Sequence, residues 1–159
     1  MSRTQATLAG LDEAALTALA GRLAPALGEG GVIHLRGELG AGKTTFARAL
    51  LQALGVGERV KSPTYSLIES YAAGGIEAHH LDLYRIADPE ELEWLGLDGL
   101  WRAGALVLVE WPQRGGDLLP TADLELELRH AGARRDLLAT PISPRGAAWL
   151  QALRADAPG

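Results

Sequence analysis

From Asp12 to Leu27 the apolar residues Leu16, Leu19, Ala20, Leu23 and Leu27 recur at the three- and four-residue spacing of one helical face. Asp12 is placed to cap this helix, and Pro25 to end or kink it early. Gly31-Val32-Ile33-His34-Leu35-Arg36 then reads as a short buried strand. After a glycine-rich turn, Phe46, Ala47, Leu50, Leu51 and Leu54 predict a second helix that Gly55 closes.

The middle of the chain reads as a hairpin. Ser66 to Ala72 and Glu77 to Tyr84 are two strand-like runs joined around Gly74-Gly75. In the second run, alternation puts His80, Asp82 and Tyr84 on one face and Leu81 and Leu83 on the other. Asp88-Pro89-Glu90-Glu91 predicts a helix start. Ala105 to Val109 is a continuous apolar strand of the kind buried on both faces. Leu124, Leu126 and Leu128 alternate with charged residues, as in a half-exposed antiparallel strand, and Arg135 to Ile142 is its expected partner. Ser143-Pro144 opens a terminal helix carrying Trp149, Leu150 and Leu153. The order predicts one three-layer α/β domain over residues 1–159, with a mixed central sheet.

Gly37-Glu38-Leu39-Gly40-Ala41-Gly42-Lys43-Thr44 fits G-x-x-x-x-G-K-[ST], between a predicted strand and a predicted helix. Glycines at these positions let successive backbone N–H groups of Glu38, Leu39, Gly40, Ala41, Gly42, Lys43, Thr44 and Thr45 curl around phosphate oxygens at a helix N-terminus. Lys43 supplies a compact charge for the β- and γ-phosphates, and the Thr44 hydroxyl a ligand for Mg²⁺. The chain has two lysines against thirteen arginines, so lysine here is against the general usage. A flat guanidinium suits such a nest poorly. The fold expected is therefore P-loop NTPase-like, with the phosphates of a nucleotide and Mg²⁺ at the loop.

A bound nucleotide also needs an acid at the end of a neighbouring buried strand to orient the metal. Glu110 ends the Ala105–Val109 run and is that candidate. Trp111 beside it either stacks on the nucleotide or covers the core. Asp82, on the polar face of its strand, is the candidate for orienting or deprotonating an attacking water. Ser62-Pro63-Thr64-Tyr65 lies where a nucleotide-sensing segment belongs, with Thr64 able to reach the metal or the γ-phosphate. Arg134-Arg135 reads as a solvated pair on a strand, and His34, His79 and His130 lack metal-ligand spacing.

Composition narrows the classes. The formal net charge of -5 disfavours unaided binding to a phosphate backbone. The absence of cysteine excludes disulfides, thiolate metal sites and a cysteine nucleophile. No apolar run approaches the roughly 20 residues of a spanning helix, so no membrane role and a cytoplasmic location are expected.

Together, Gly37–Thr45, Ser62-Pro63-Thr64-Tyr65, His80-Leu81-Asp82-Leu83-Tyr84-Arg85 and Glu110-Trp111-Pro112 resemble the TsaE (YjeE) family, the ATPase of bacterial tRNA threonylcarbamoyladenosine biosynthesis. The likeness spans about residues 12 to 135. It implies ATP or ADP and Mg²⁺ as cofactors and slow Mg²⁺-dependent ATP hydrolysis, stimulated by the partners TsaB and TsaD. Those partners place the threonylcarbamoyl group on the adenosine beside the anticodon, with tRNA reached indirectly through the complex. It further implies that Lys43 contacts phosphate, that Thr44 and Glu110 bind Mg²⁺, that Asp82 serves hydrolysis, and that Trp111 sits by the nucleotide. Thr64 and Arg85 match positions needed for activity. One departure stands out: the family often carries threonine near the adenine where this chain has Leu16, with Thr17 adjacent.

Two other readings compete. A small-molecule P-loop kinase usually carries an arginine-rich lid and an acceptor pocket, for which Arg134-Arg135 is a poor substitute. A nucleotide-gated module would bind ATP without turnover. A GTPase with an N-K-x-D guanine-reading motif is excluded, because the chain contains no asparagine.

Overall fold

The structure is a computed structural model that describes residues 5–56, 59–60, 68–73, 75–95 and 104–154. The strands are β1 (Ala6–Leu11), β2 (Gly31–Gly37), β3 (Arg59–Val60), β4 (Ile68–Ala73), β5 (Ile76–Asp82), β6 (Ala105–Glu110), β7 (Leu124–Ala131) and β8 (Arg134–Pro141). The helices are α1 (Glu13–Leu23), α2 (Lys43–Ala53) and α3 (Pro144–Arg154). Asp12 caps α1 as expected, its side chain accepting from the Ala15 amide at 2.8 Å. α1 stops at Leu23 and tightens into a 3-10 turn, Ala24–Leu27, whose start holds Pro25.

The eight strands among the described residues form one sheet in the order β1-β8-β7-β2-β6-β5-β4-β3. β7, β2, β6 and β5 are parallel neighbours at its centre. Every other pairing is antiparallel, so the sheet is mixed as expected. β4 and β5 form the expected hairpin, and β6 is buried along its whole length.

Three differences from the sequence reading have local causes. β1 was not expected, because Ala-Thr-Leu-Ala-Gly-Leu has neither strict alternation nor β-branched density, and its register against β8 shifts between Leu8 and Leu11. β7 pairs with β8 as anticipated but also runs parallel to β2. The segment Pro89–Leu95 forms a 3-10 helix rather than the start of an α-helix. Its entry is well capped, with the Glu91 carboxylate accepting from the Ala87 and Asp88 amides, yet Leu92 is its one buried anchor among the described side chains.

On one face of the sheet, α1, α2 and α3 pack Leu19, Leu23, Phe46, Leu50, Trp149 and Leu153 onto Ile33, Leu35, Leu106, Leu108, Leu124 and Leu126. On the other, Leu81, Leu83, Val107 and Val109 pack with Ile86, in the turn after β5, and with Leu92 of the 3-10 helix Pro89–Leu95. This alternation decides where the polar side chains go. Residues out of step with Leu81 and Leu83, namely His80 and Asp82, emerge on the helical side at the carboxyl end of β5. There Asp82 and Leu35 are both register partners of Glu110, so three parallel strands end side by side.

Candidate functional site

The loop from Gly37 to Gly42 leaves β2 and delivers the chain into α2. Gly37 has φ 144°, and a Cβ there would lie 2.4 Å from the Leu128 carbonyl oxygen, so a side chain is excluded by neighbouring backbone. Gly42 caps α2 in the left-handed region at φ 102°. Between them Glu38, Leu39 and Gly40 form an exposed outer turn, while Ala41 is buried beneath it. The first turn of α2 holds Lys43, Thr44 and Thr45, with Lys43 buried, Thr44 half-buried and Thr45 exposed.

Lys43 folds back over the loop. Its Nζ donates to the carbonyls of Gly37 at 2.6 Å and Glu38 at 2.9 Å, and lies 4.3 Å from the centre of the Trp111 ring. Burial pushes its pKa below the usual lysine value, an effect opposed by the nearby Glu110 and Asp82 carboxylates. An ammonium so desolvated and held by neutral carbonyls has strong reason to exchange them for an anion.

Thr44 reaches the opposite wall. Its hydroxyl lies 2.8 Å from both carboxylate oxygens of Glu110, whose residue is only 2% exposed. Glu110 is held from behind as well, by the His80 ring, whose Nε2 donates to Oε2 at 2.6 Å. The other ring nitrogen of His80 stands 3.7 Å from Glu69. Thr44 and Glu110 thus bring two hard oxygen donors together, and no cluster of three or more His, Cys, Asp or Glu side chains suited to a metal is found among the described residues. That donor set fits Mg²⁺, which takes one or two protein oxygens and completes its shell with phosphate and water. It does not fit a structural zinc site.

Asp82 ends β5 beside Glu110, with Oδ1 accepting from the Tyr84 amide at 3.1 Å. Trp111 follows Glu110 in the left-handed conformation (φ 58°), which turns its ring into the site instead of continuing the strand. There it meets Tyr84 at 5.0 Å between ring centres while packing against the apolar layer below. Both roles weighed for it are therefore open to one side chain: a face toward the lysine and a face on the core. A cleft of about 440 Å³ collects Leu39, Thr44, Arg48, Glu69, His80, Asp82, Tyr84, Arg85 and Glu110.

The structure brings Lys43, Thr44, Asp82, Glu110 and Trp111 together, with the Glu38–Thr45 loop along one side. Thr64, with the rest of Ser62–Tyr65, lies outside the described residues. Leu16 is a core residue 3.9 Å from where a Gly42 Cβ would stand, and Thr17 is exposed. One expectation is corrected. Arg135 is not a solvated bystander: its guanidinium donates to the carbonyls of Gly40 (3.3 Å) and Ala41 (3.2 Å). Arg134 donates to Gly10 and sits 3.8 Å from Asp12. Sequence reasoning also passed over the bond from His80 to Glu110, although the two-residue step from His80 to Asp82 signalled a shared face. Nothing local signalled Arg135, which reaches a loop more than ninety positions away.

Residues 11–137 match the family model described as Threonylcarbamoyl adenosine biosynthesis protein TsaE. The chain is 42% identical over 106 residues to the tRNA threonylcarbamoyladenosine biosynthesis protein TsaE of Haemophilus influenzae, covering 67% of each chain. It is 38% identical over 117 residues to the protein of the same name from Bacillus subtilis, covering 73% of each. Among solved structures it resembles YdiB of Bacillus subtilis with a TM-score of 0.77 at 28% identity, over 97% of both chains.

Proposed function

The chain belongs to the TsaE family, and from that membership we propose that it is the ATP-binding, ATP-hydrolysing subunit of the assembly that forms threonylcarbamoyladenosine beside the anticodon of tRNAs reading codons that begin with adenine. Its place in tRNA threonylcarbamoyladenosine biosynthesis follows from the family. The ATPase reading rests on one observation above the others: the lysine and threonine of the loop converge with a buried carboxylate, Thr44 lying 2.8 Å from both oxygens of Glu110.

In this reading the amides from Glu38 to Thr45 bind the phosphates, and Lys43 leaves the Gly37 and Glu38 carbonyls to meet the β- and γ-phosphates. Thr44 and Glu110 would hold Mg²⁺, which supplies charge neutralisation across the phosphates when bound. Asp82 accepts a hydrogen bond from a water held in line with the γ-phosphorus. The water oxygen bonds to that phosphorus as its bond to the bridging oxygen of ADP breaks, and the water proton passes toward the carboxylate or the released phosphate. Trp111 covers the nucleotide from the Lys43 side, and Thr64 belongs to the segment that senses the γ-phosphate.

One contact bears on slow turnover by the isolated chain: Lys43 is engaged by the loop's own carbonyls and must be redirected before reaction. Asp82 accepts a single bond, at Oδ1 from the Tyr84 amide, and keeps acceptor sites for a water. Partners of the TsaB and TsaD kind accelerate hydrolysis by reshaping this cleft, and tRNA is reached through them. The domain works in the cytoplasm; no described helix is long and apolar enough to cross a membrane.

The test is ATP turnover by the pure chain, then with the TsaB–TsaD pair, then with tRNA added. A rise on adding the pair is expected, and an unchanged rate overturns the partner role. Calorimetry with Mg²⁺ and ADP that registers no binding to the folded chain overturns the nucleotide reading itself.

A further inference from the structure

We propose that Arg135 is a positioning residue for the phosphate-binding loop, fixing from β8 the direction in which the loop's amides point. The inference rests on the nucleotide reading above.

A phosphate nest works only if its N–H groups face inward, and a trans peptide plane sets each N–H opposite the carbonyl it is joined to. Holding a carbonyl outward therefore aims the next amide inward. The Arg135 guanidinium takes two successive carbonyls on the loop, Nη2 bonding Gly40 at 3.3 Å and Nε bonding Ala41 at 3.2 Å. The first plane is locked from both ends but adds no free N–H to the nest, because its Ala41 amide donates to the Glu38 carbonyl at 3.0 Å; it holds the turn on which the second plane rests. The second plane carries the Gly42 amide at the very start of α2; with the Ala41 carbonyl drawn to Arg135, that amide points the opposite way, into the loop. Gly40 and Gly42 both have positive φ, at 80° and 102°, and glycine peptides flip readily between orientations. A loop so permissive needs an outside brace, and a forked donor that is always charged can grip two acceptors at once where lysine grips one.

Arg135 is itself held. It is half-buried on β8, its Nη1 donates to the Arg134 carbonyl at 2.8 Å, and its register partners are Leu11 on β1 and His130 on β7. Its neighbour Arg134 ties the same strand end to Gly10 and to Asp12, the cap of α1. The start of β8 thus joins the loop to the β1–α1 corner, and the loop inherits the rigidity of the sheet.

The experiment compares Arg135→Ala, Arg135→Gln and Arg135→Lys with the unsubstituted chain, titrating ADP and AMP by calorimetry with Mg²⁺ present. Arg135→Ala is expected to weaken ADP about tenfold, the worth of charged hydrogen bonds lost at a partly exposed site. AMP, which lacks the β-phosphate the loop grips, should lose far less. In turnover KM for ATP rises while kcat changes little. Arg135→Lys should recover less than half of the ADP loss. Hydrogen exchange on the nucleotide-free chain gives a readout without ligand: faster exchange at Ala41–Thr44 in Arg135→Ala, with β7 and β8 unchanged. Wild-type ADP affinity in Arg135→Ala, equal losses for ADP and AMP, or full recovery by lysine each overturns the proposal. Should Arg135→Ala not fold, the same outcomes are read on Arg135→Gln. Failure of the unsubstituted chain to bind ADP would instead strike the nucleotide reading.

Discussion

The Nε2 atom of His80 donates to Oε2 of Glu110 across 2.6 Å, and both residues are buried. The bond fixes the imidazole tautomer and the plane of the carboxylate, leaving both Glu110 oxygens within 2.8 Å of the Thr44 hydroxyl. A carboxylate turned freely in its socket would meet a cation in many orientations; this one would meet the proposed Mg²⁺ in one.

His80→Ala is therefore expected to raise the Mg²⁺ concentration needed for half-maximal ADP binding by about tenfold or more, the usual cost of losing a hydrogen bond behind a metal ligand. His80→Gln places an amide donor near the position of Nε2 and should recover much of it. Calorimetric ADP titrations at a series of Mg²⁺ concentrations measure this, and an unchanged Mg²⁺ dependence in His80→Ala would reduce the bond to packing.

Lys43→Ala should abolish measurable ADP binding, because backbone amides alone leave the polyphosphate charge unbalanced. The wild-type pH profile carries its own signature. Burial holds the Lys43 pKa below its ordinary 10.5, so the free site starts to lose its charge at lower pH than an exposed lysine would. An anionic ligand favours the protonated form, so ADP affinity falls as pH rises through that lowered value. Affinity flat up to pH 10.5 would show that the ammonium does not titrate in the free protein.

Much of this site could be read in advance because its chemistry is local in sequence. Glycines, lysine and threonine of the loop occupy eight consecutive positions, and the alternation His80-Leu81-Asp82 declares which side chains share a face. Glu110 was marked by ending a run buried on both sides. What escaped depends on contacts between distant segments. β1 exists because β8 offers it an edge, its own residues being weak strand formers. Arg135 gains its role from the return of β8 beneath the loop, and no periodicity in its neighbourhood records that. Trp111 reaches Lys43 and Tyr84 through a backbone conformation rare outside glycine, which sequence pattern does not reveal.

Asp82→Ala separates binding from chemistry. The residue lines the cleft at the end of β5, and in the proposed binding mode the loop and Lys43 hold the nucleotide without it. The variant should bind Mg²⁺ and ADP within a few-fold of wild type and lose at least about a hundredfold in hydrolysis, the lower range for a general base. Phosphate release measured in the presence of the TsaB–TsaD pair is the deciding assay. Normal turnover there would remove Asp82 from the reaction and pass the water-orienting role to another group on the cleft wall.

His34 supplies a test of the fold that leaves the nucleotide site alone. It sits on β2 facing away from the helices, and Nε2 donates to the Pro120 carbonyl at 3.2 Å. Burial lowers its pKa below 6.5; Glu125 and the Pro120 carbonyl pull it up, and Arg36 adds to the depression. The unfolded chain binds a proton at about 6.5 while the folded chain resists it until a lower pH. Between those two values the unfolded state holds more protons, so stability declines as pH falls through that window; above it both states are neutral and the residue contributes no slope. His34→Gln keeps a polar side chain without the titration and should flatten the acid limb by up to about 1.4 kcal/mol per pH unit inside the window. Urea unfolding at pH 7.5, 6.5 and 5.5 measures the difference between the two chains. Parallel slopes would mean that the folded protein protonates this imidazole as readily as water does, and that Glu125, 3.9 Å from Nδ1, closes on it when it is charged.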